Sequence, residues 1–179
     1  MIALLAPVPA VHLPHAFKIQ NAEGIVAFGT GAKSEVKSGE WSFQFFSKEE
    51  FSEGKGILPV LIYGSATELK SSSQYHRPGY ATVSATYEGW TPAKNWKHPR
   101  PEFRPKSALE GDTEWTSFWE VSHLKFLRKA AQIPLAKLKL SGKGALRPHS
   151  GIAPIGPQLV VLSEELAALI DLPGFDAIC

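Results

Sequence analysis

Two stretches decide the fold, Gly79-Tyr-Ala-Thr-Val-Ser-Ala-Thr-Tyr87 and Trp115-Thr-Ser-Phe-Trp-Glu-Val-Ser-His-Leu-Lys-Phe-Leu127. The first alternates tyrosine, threonine and serine with smaller apolar residues, and this period of two predicts a β-strand with one polar face. The second has mixed polarity on both faces, but its aromatic content favours a strand over residues 118–127. We therefore expect two strands that flank a long polar loop.

Other short segments also have strand patterns. Residues 16–20 and 41–46 alternate apolar and polar side chains, and residues 24–28 and 57–63 are apolar runs. Pro59 must then lie at the first residues of its strand or at a bulge, because proline donates no backbone hydrogen bond.

Helices are predicted at two places. Residues 164–170 have Ser163 as a cap, two glutamates in the first turn and Pro173-Gly174 as a stop, and residues 48–53 follow Ser47. The 14 prolines and 15 glycines disfavour a helical bundle. The predicted class is α+β, mainly β, with roughly seven strands and a few short helices in a small, partly open barrel.

Length and composition predict one domain over residues 1–179. A chain of 179 residues with 44% hydrophobic composition is long enough for one packed core and short for two. The net charge of +2 says little, but from Arg77 to Lys106 six lysines and arginines stand against two glutamates. This local excess favours an anionic partner.

The cysteine content and the first residues bear on location. Cys179 is the one cysteine, which excludes an intramolecular disulfide and favours a reducing compartment. The apolar first ten residues lack a basic segment and contain prolines, and no apolar run approaches the ~20 residues that span a bilayer. We expect a soluble cytoplasmic or nuclear protein without membrane contact.

We predict neither a metal nor a cofactor. His12 and His15 are three residues apart, but Pro14 between them argues against a helical pair, and no phosphate-loop or dinucleotide motif is present.

Several motifs occur in a recognisable order. They are Pro59-Val-Leu-Ile-Tyr-Gly-Ser65, Pro78-Gly-Tyr-Ala-Thr-Val-Ser-Ala-Thr-Tyr87, Pro101-Glu-Phe-Arg-Pro-Lys-Ser107, the stretch from Trp115 to Leu127, Ile133-Pro-Leu-Ala-Lys-Leu-Lys-Leu140, and Gly151-Ile-Ala-Pro-Ile155 with the helix that begins Ser163-Glu-Glu-Leu. Over residues 57–171 this order resembles the PUA-like superfamily, and within it the EVE domains and the related YTH domains. The resemblance implies a small mixed β-barrel with short flanking helices. It also implies a non-enzymatic reader that takes a modified, for example methylated, cytosine or adenine from its strand into an aromatic pocket.

A flipped base needs aromatic walls for its two faces and a few polar groups for its edge. The candidate pocket residues are Trp41, Tyr63, Ser65, Trp90, Trp96, Trp115 and Asp112. Asp112, or Glu110 in its place, would accept a hydrogen bond from a base amino group. For any single tryptophan, packing in the core is the competing interpretation.

Phosphates of the bound strand need cations outside the pocket. The candidates are Arg77, Lys94, Lys97, Arg100, Arg104 and Lys106. A solvated basic loop is the competing interpretation. The expected partner is DNA or RNA with a modified base, and an associated nuclease or other effector protein is a second partner that this interpretation allows.

Two alternatives remain open. Gly31-Ala-Lys-Ser-Glu-Val-Lys37 resembles the signature of the ASCH domains, a PUA-like branch with amidohydrolases that act on acylated cytidine. In that interpretation Lys33 is the base, with Glu35 beside it, although a polar turn is the favoured explanation of the segment. In the other alternative the aromatic loop is the surface of a protein-interaction module.

Overall fold

The structure, a computed structural model, describes residues 1–32, 58–65, 75–109, 114–140, 147–148 and 157–170. Its strands are β1 (Ile2–Pro9), β2 (Val26–Ala32), β3 (Pro59–Ser65), β4 (Tyr80–Ala81), β5 (Val83–Pro92), β6 (Trp115–Phe126), β7 (Ile133–Pro134), β8 (Lys139–Leu140), β9 (Arg147–Pro148) and β10 (Gln158–Val161). Its helices are α1 (Leu13–Glu23), α2 (Lys106–Leu109) and α3 (Glu164–Ala167). The class is α+β and mainly β, as predicted.

Eight of the described strands form one mixed sheet in the order β2-β6-β5-β3-β1-β10-β8-β9, and β4 pairs with β7 separately. β1 and β3 are parallel, whereas the other described pairs are antiparallel. The order starts at β2 and ends at β9 without returning to β2. Within the described residues the sheet is therefore not closed into the expected barrel.

The sheet is nevertheless curved. Three strands separate β2 from β1 in the sheet order, yet Phe28 of β2 and Val8 of β1 belong to one buried cluster. α1 covers this concave face with Leu13 and Ala16. The opposite face packs around Leu61 against the segment that contains β7 and β8 and against α3.

β1 was not predicted as a strand, although it is central. It pairs with β10 from Ile2 to Leu5 and with β3 from Leu4 to Pro9. Pro7 and Pro9 lie beyond the last residue that β10 reaches, so their missing N–H groups fall where that partner strand has ended. Prolines are unusual in a central strand, but β1 accommodates Pro7 and Pro9 for this reason.

The other predicted strands are mostly confirmed. β3 begins at Pro59, the position that the proline rule required, and β6 covers the aromatic stretch. β5 continues to Pro92, so that Trp90 lies in a strand and pairs with Trp119. The β5–β6 register shifts twice, at two bulges.

The predicted strand at residues 16–20 is wrong, because these residues lie in α1. Pro14 is in the first turn of α1, where no N–H is needed, and Gly24 ends the helix with φ of 76° and its N–H bonded to Gln20 O. Over so few residues, alternating apolar and polar side chains also fit a helix with one buried face, and in α1 the buried residues are Leu13 and Ala16.

The helix predicted at residues 164–170 is confirmed but shorter. Ser163 Oγ accepts the N–H of Leu166, and α3 ends at Ala167. The strand predicted at residues 41–46 and the helix predicted at residues 48–53 lie outside the described residues.

Candidate functional site

A partly open cavity of about 160 Å³ lies at the end of β1. The 3-10 turn Ala10–His12, β2, α2 and the start of β6 complete its walls. An engineered apolar cavity of ~150 Å³ binds benzene, whereas drug-sized ligands occupy about 300 Å³ or more. The cavity therefore has room for one six-membered ring. We call it the β1-end pocket.

Aromatic side chains form the apolar walls of the β1-end pocket. A Cβ atom at Gly29 would lie only 2.4 Å from Trp115 Cδ2, so the indole occupies the space that any larger residue would fill. Phe28 contacts the buried Trp119, with ring centroids 4.8 Å apart. The rings of Trp115 and Phe28 are therefore held in place by the sheet.

Arg104 contributes a buried cation to the pocket. The residue is 5% exposed, its Nη1 donates to Ala27 O at 3.0 Å, and its guanidinium lies 4.8 Å from the centre of the Phe118 ring. Burial lowers the pKa of Arg104 to about 10, so it remains protonated at neutral pH. Among the described residues no carboxylate lies within 4.0 Å of it.

Two histidines meet Ser107 at the pocket. His12 Nδ1 is 2.9 Å from Ser107 Oγ, and the backbone N–H of Ser107 donates to His15 Nδ1 at 3.2 Å. Pro14 does not keep the two histidines apart, because it is in the first turn of α1. The pair binds the backbone and hydroxyl of one serine, and so holds α2 against α1.

His12 is uncharged at neutral pH. Burial lowers its pKa, and the positive charge of Arg104 and a smaller electrostatic contribution from His15 lower it further. A neutral imidazole beside a hydroxyl can accept a proton, and beside a ligand it can donate or accept a hydrogen bond.

A second buried polar cluster lies under the loop after β5. His98 Nε2 is 3.1 Å from Glu120 Oε1, and Thr91 Oγ1 donates to the same oxygen. The hydrogen bond from His98 lowers the pKa of Glu120, against the opposing effect of burial. The His98 imidazole also packs edge-on against the Phe118 ring, with the two ring centroids 4.9 Å apart. This cluster fixes the loop to β6.

The third polar cluster lies at the β5–β6 bulges. Ser122 Oγ donates to Glu88 Oε1 and is 2.8 Å from His123 Nδ1. His123 has φ of 53°, and Gly89 beside Glu88 has φ of 139°. Nearby, Ser84 Oγ and Thr86 Oγ1 are buried, and neither has a hydrogen-bond partner in the described part of the chain.

Those predicted base-binding residues that the structure describes do not lie together in one site. Trp115 lines the β1-end pocket, whereas Tyr63 is buried on the opposite face of the sheet, where burial raises its pKa. Trp90 packs against the core cluster of the concave face. Ser65 is the last residue of β3.

Trp96 lies in a tight turn. Lys94 and Lys97 exchange backbone hydrogen bonds, and both central residues, Asn95 and Trp96, have positive φ. Trp96 O accepts the N–H of Trp115 at 3.1 Å, so this turn is attached to the first residue of β6. Trp41, Asp112, Glu110, Lys33 and Glu35 lie outside the described residues.

The predicted phosphate-binding residues differ in their exposure to solvent. Lys94, Lys97, Arg100 and Lys106 are exposed, and Arg104 is buried in the pocket. The guanidinium of Arg77 stacks on the Tyr80 ring at 3.5 Å and donates to Gln132. Arg100 stacks on Phe103 at 4.1 Å.

Sequence reasoning missed His12, Phe28 and Ser107 as pocket residues. His12 and Ser107 are 95 positions apart and meet only because α2 docks on the turn before α1. The one signal was the closely spaced His12 and His15, which were considered as metal ligands only.

Comparison with known families gives no match: no family model matches the chain, and no curated protein does. Within the described residues no group of three or more acidic, histidine or cysteine side chains could hold a metal ion. The helices in that part of the chain are too short or too polar to cross a membrane.

Proposed function

We propose that the chain is a PUA-like, EVE-related nucleic-acid reader that holds one modified single-ring base in the β1-end pocket. The observation that carries this proposal is the combination of aromatic walls and a buried cation in a cavity of single-ring size. Stacking on an aromatic side chain contributes about 1–3 kcal/mol per base. Trp115 and Phe28 are the stacking candidates, and Arg104 is the candidate for the base edge.

The surroundings of the pocket support a reader. The sheet curves enough to bring β1 and β2 to one cavity, which favours a barrel of the PUA-like kind. Lys106 is exposed on α2, directly before Ser107 in the sequence, and Arg100 is exposed before α2. Cations at these places would contact the phosphates on either side of an extruded base.

The test is a titration of short single strands that differ in one base. We expect a strand with one 5-modified pyrimidine to bind more tightly than the unmodified strand. Trp115→Ala should weaken binding of the modified strand by ~5-fold to 150-fold, the equivalent of one lost stacking contact. Equal and weak binding of every strand would reject the reader function.

A matched control separates the pocket from tryptophans in general. Trp90 packs against the core outside the pocket lining, so Trp90→Ala should retain the preference for the modified strand. Thermal unfolding of both variants shows whether each is folded. Loss of the preference in Trp90→Ala alone would place the base site elsewhere.

The contact of Ser107 with His12 favours hydrolysis of an acylated base as a second candidate function. Ser107 Oγ would attack the acyl carbon while His12 takes the hydroxyl proton, and the amine would leave with that proton before water releases the acid. Incubation with N-acetylcytidine followed by chromatography tests it. Deacetylation that Ser107→Ala abolishes would support the hydrolase, and an unchanged rate in Ser107→Ala would reject it.

A further inference from the structure

The polar lining of the β1-end pocket is unbalanced in charge. Arg104 is a permanent cation at neutral pH, and its contacts among the described residues are Ala27 O and the face of Phe118. A guanidinium has five N–H donors in a planar fork, and one carbonyl uses only a part of them. A buried cation without an anionic partner is unfavourable, since it has lost water and gained little.

The other polar groups that line the pocket do not neutralise Arg104. They are the imidazole of His12 and the hydroxyl of Ser107, and neither carries a negative charge. The pKa of His12 is lowered mainly by burial, and the charge of Arg104 lowers it further. The described lining residues include no aspartate or glutamate. Within the part of the chain that the structure describes, the pocket therefore lacks an anion to pair with Arg104.

We propose that the β1-end pocket selects a single planar ring that carries a carboxylate, with Arg104 pairing with that carboxylate and Trp115 and Phe28 flanking the ring. This inference rests on the proposed function for its preferred source, an oxidised pyrimidine in a strand. A free aromatic acid presents the same chemistry.

A methylated ring would fill the same space less favourably. Its methyl group would leave the remaining donors of Arg104 without an acceptor, whereas a carboxylate accepts two parallel N–H bonds from a guanidinium. Hydrogen bonds of this charge-assisted kind make the expected preference about tenfold or more. Arg104 would then be the specificity-determining residue.

The experiment compares three strands that differ at one position, with cytosine, 5-methylcytosine or 5-carboxylcytosine. We expect the carboxylated strand to bind at least about tenfold more tightly than the methylated strand. Arg104→Gln should make the two equal. Arg100→Gln, the matched control, should weaken all three alike, since Arg100 is an exposed cation stacked on Phe103.

Two outcomes overturn the charge selection while the reader function stands. In one, the wild-type protein binds the methylated strand as tightly as the carboxylated strand. In the other, Arg104→Gln is folded and still prefers the carboxylated strand. Circular dichroism and thermal unfolding establish folding, and Arg104→Lys gives a second variant that keeps the charge but loses the fork.

A second arm uses a free acid, orotate, measured by calorimetry. If no strand binds, the reader function fails, and orotate then decides the inference alone. Binding of orotate that Arg104→Gln removes supports a pocket for a free carboxylated ring. Absence of binding to orotate and to every strand rejects both proposals.

Discussion

Two buried charged groups in the described part of the chain, Glu120 and Arg104, differ in their partners. Glu120 is 8% exposed and accepts hydrogen bonds from His98 and Thr91. Arg104 is 5% exposed, has one carbonyl as its hydrogen-bond partner among the described residues, and lies against the β1-end pocket. Arg104 and His98, the hydrogen-bond partner of Glu120, both contact the Phe118 ring.

The difference shows how to distinguish a structural charge from a ligand-binding charge. A buried charge with its partners in place stabilises the native arrangement, and removing one partner is costly. A buried charge with open donors beside a cavity contributes little to folding but is prepared for an anion. The comparison therefore predicts opposite consequences for the two residues.

The largest loss of stability is expected for Glu120, the buried charge that has its hydrogen-bond partners in place. Glu120→Ala leaves His98 and Thr91 without their acceptor and detaches the loop after β5, so the free energy of unfolding should fall by about 3 kcal/mol. Urea denaturation measures it. Glu102→Ala is the control, because Glu102 is exposed in the same loop and should change stability by less than about 0.5 kcal/mol. Similar losses in both variants would refute a structural role for the Glu120 cluster.

The Glu120 cluster also sets a pH dependence. Its folded pKa lies below the ordinary value of 4.5, so its contribution is present above pH 4.5 and is lost as the pH falls through the folded pKa. Wild-type protein should therefore lose stability more steeply in acid than Glu120→Gln. Parallel curves for the two proteins would show that Glu120 is not held ionised by the fold.

Much of the fold was predictable where local pattern and tertiary environment agree. β3 and β5 have clear strand patterns, and the proline rule placed the first residue of β3. α1 and β1 were missed, since each contains prolines whose effect depends on which neighbouring strand or turn needs an N–H group. Whether a neighbour needs that N–H group depends on the tertiary structure, and a single sequence does not show it.

The site was less predictable than the fold. Trp115 and Arg104 were identified by type, but their partners come from residues 8–29, far away in sequence. Tyr63 and Trp90 have the same composition signal as Trp115 and pack in the core instead. Aromatic content indicates that walls are available, whereas only the curvature of the sheet determines which rings face a cavity.

The next largest effect concerns the wall of the β1-end pocket. Gly29→Ala places a Cβ atom 2.4 Å from the Trp115 ring, so the indole must move, at a cost of about 1–3 kcal/mol. In a Trp115→Ala background the same substitution should cost almost nothing, because the ring is gone. A double-mutant cycle in urea measures this coupling. Additive losses would mean that Trp115 does not pack on Gly29.

A smaller effect on stability is expected for Arg104 itself. Arg104→Met loses the hydrogen bond to Ala27 O but also removes a buried cation, so the free energy of unfolding should change by less than about 1 kcal/mol. Ligand binding, in contrast, should be lost. A loss of stability as large as that of Glu120→Ala would erase the distinction between the two buried charges.

The smallest effect is a change in the titration of His12. Burial remains in Arg104→Met, but the positive charge that also lowers the pKa of His12 is removed, so this pKa should rise part of the way towards 6.5. Because the folded pKa lies below the unfolded one, stability is lost as the pH falls below 6.5 towards the folded pKa, and the variant should lose less. Nuclear magnetic resonance of the imidazole follows the titration directly. Arg100→Met is the control, since Arg100 does not act on His12, and an equal shift in both variants would remove the electrostatic link between His12 and Arg104 in the β1-end pocket.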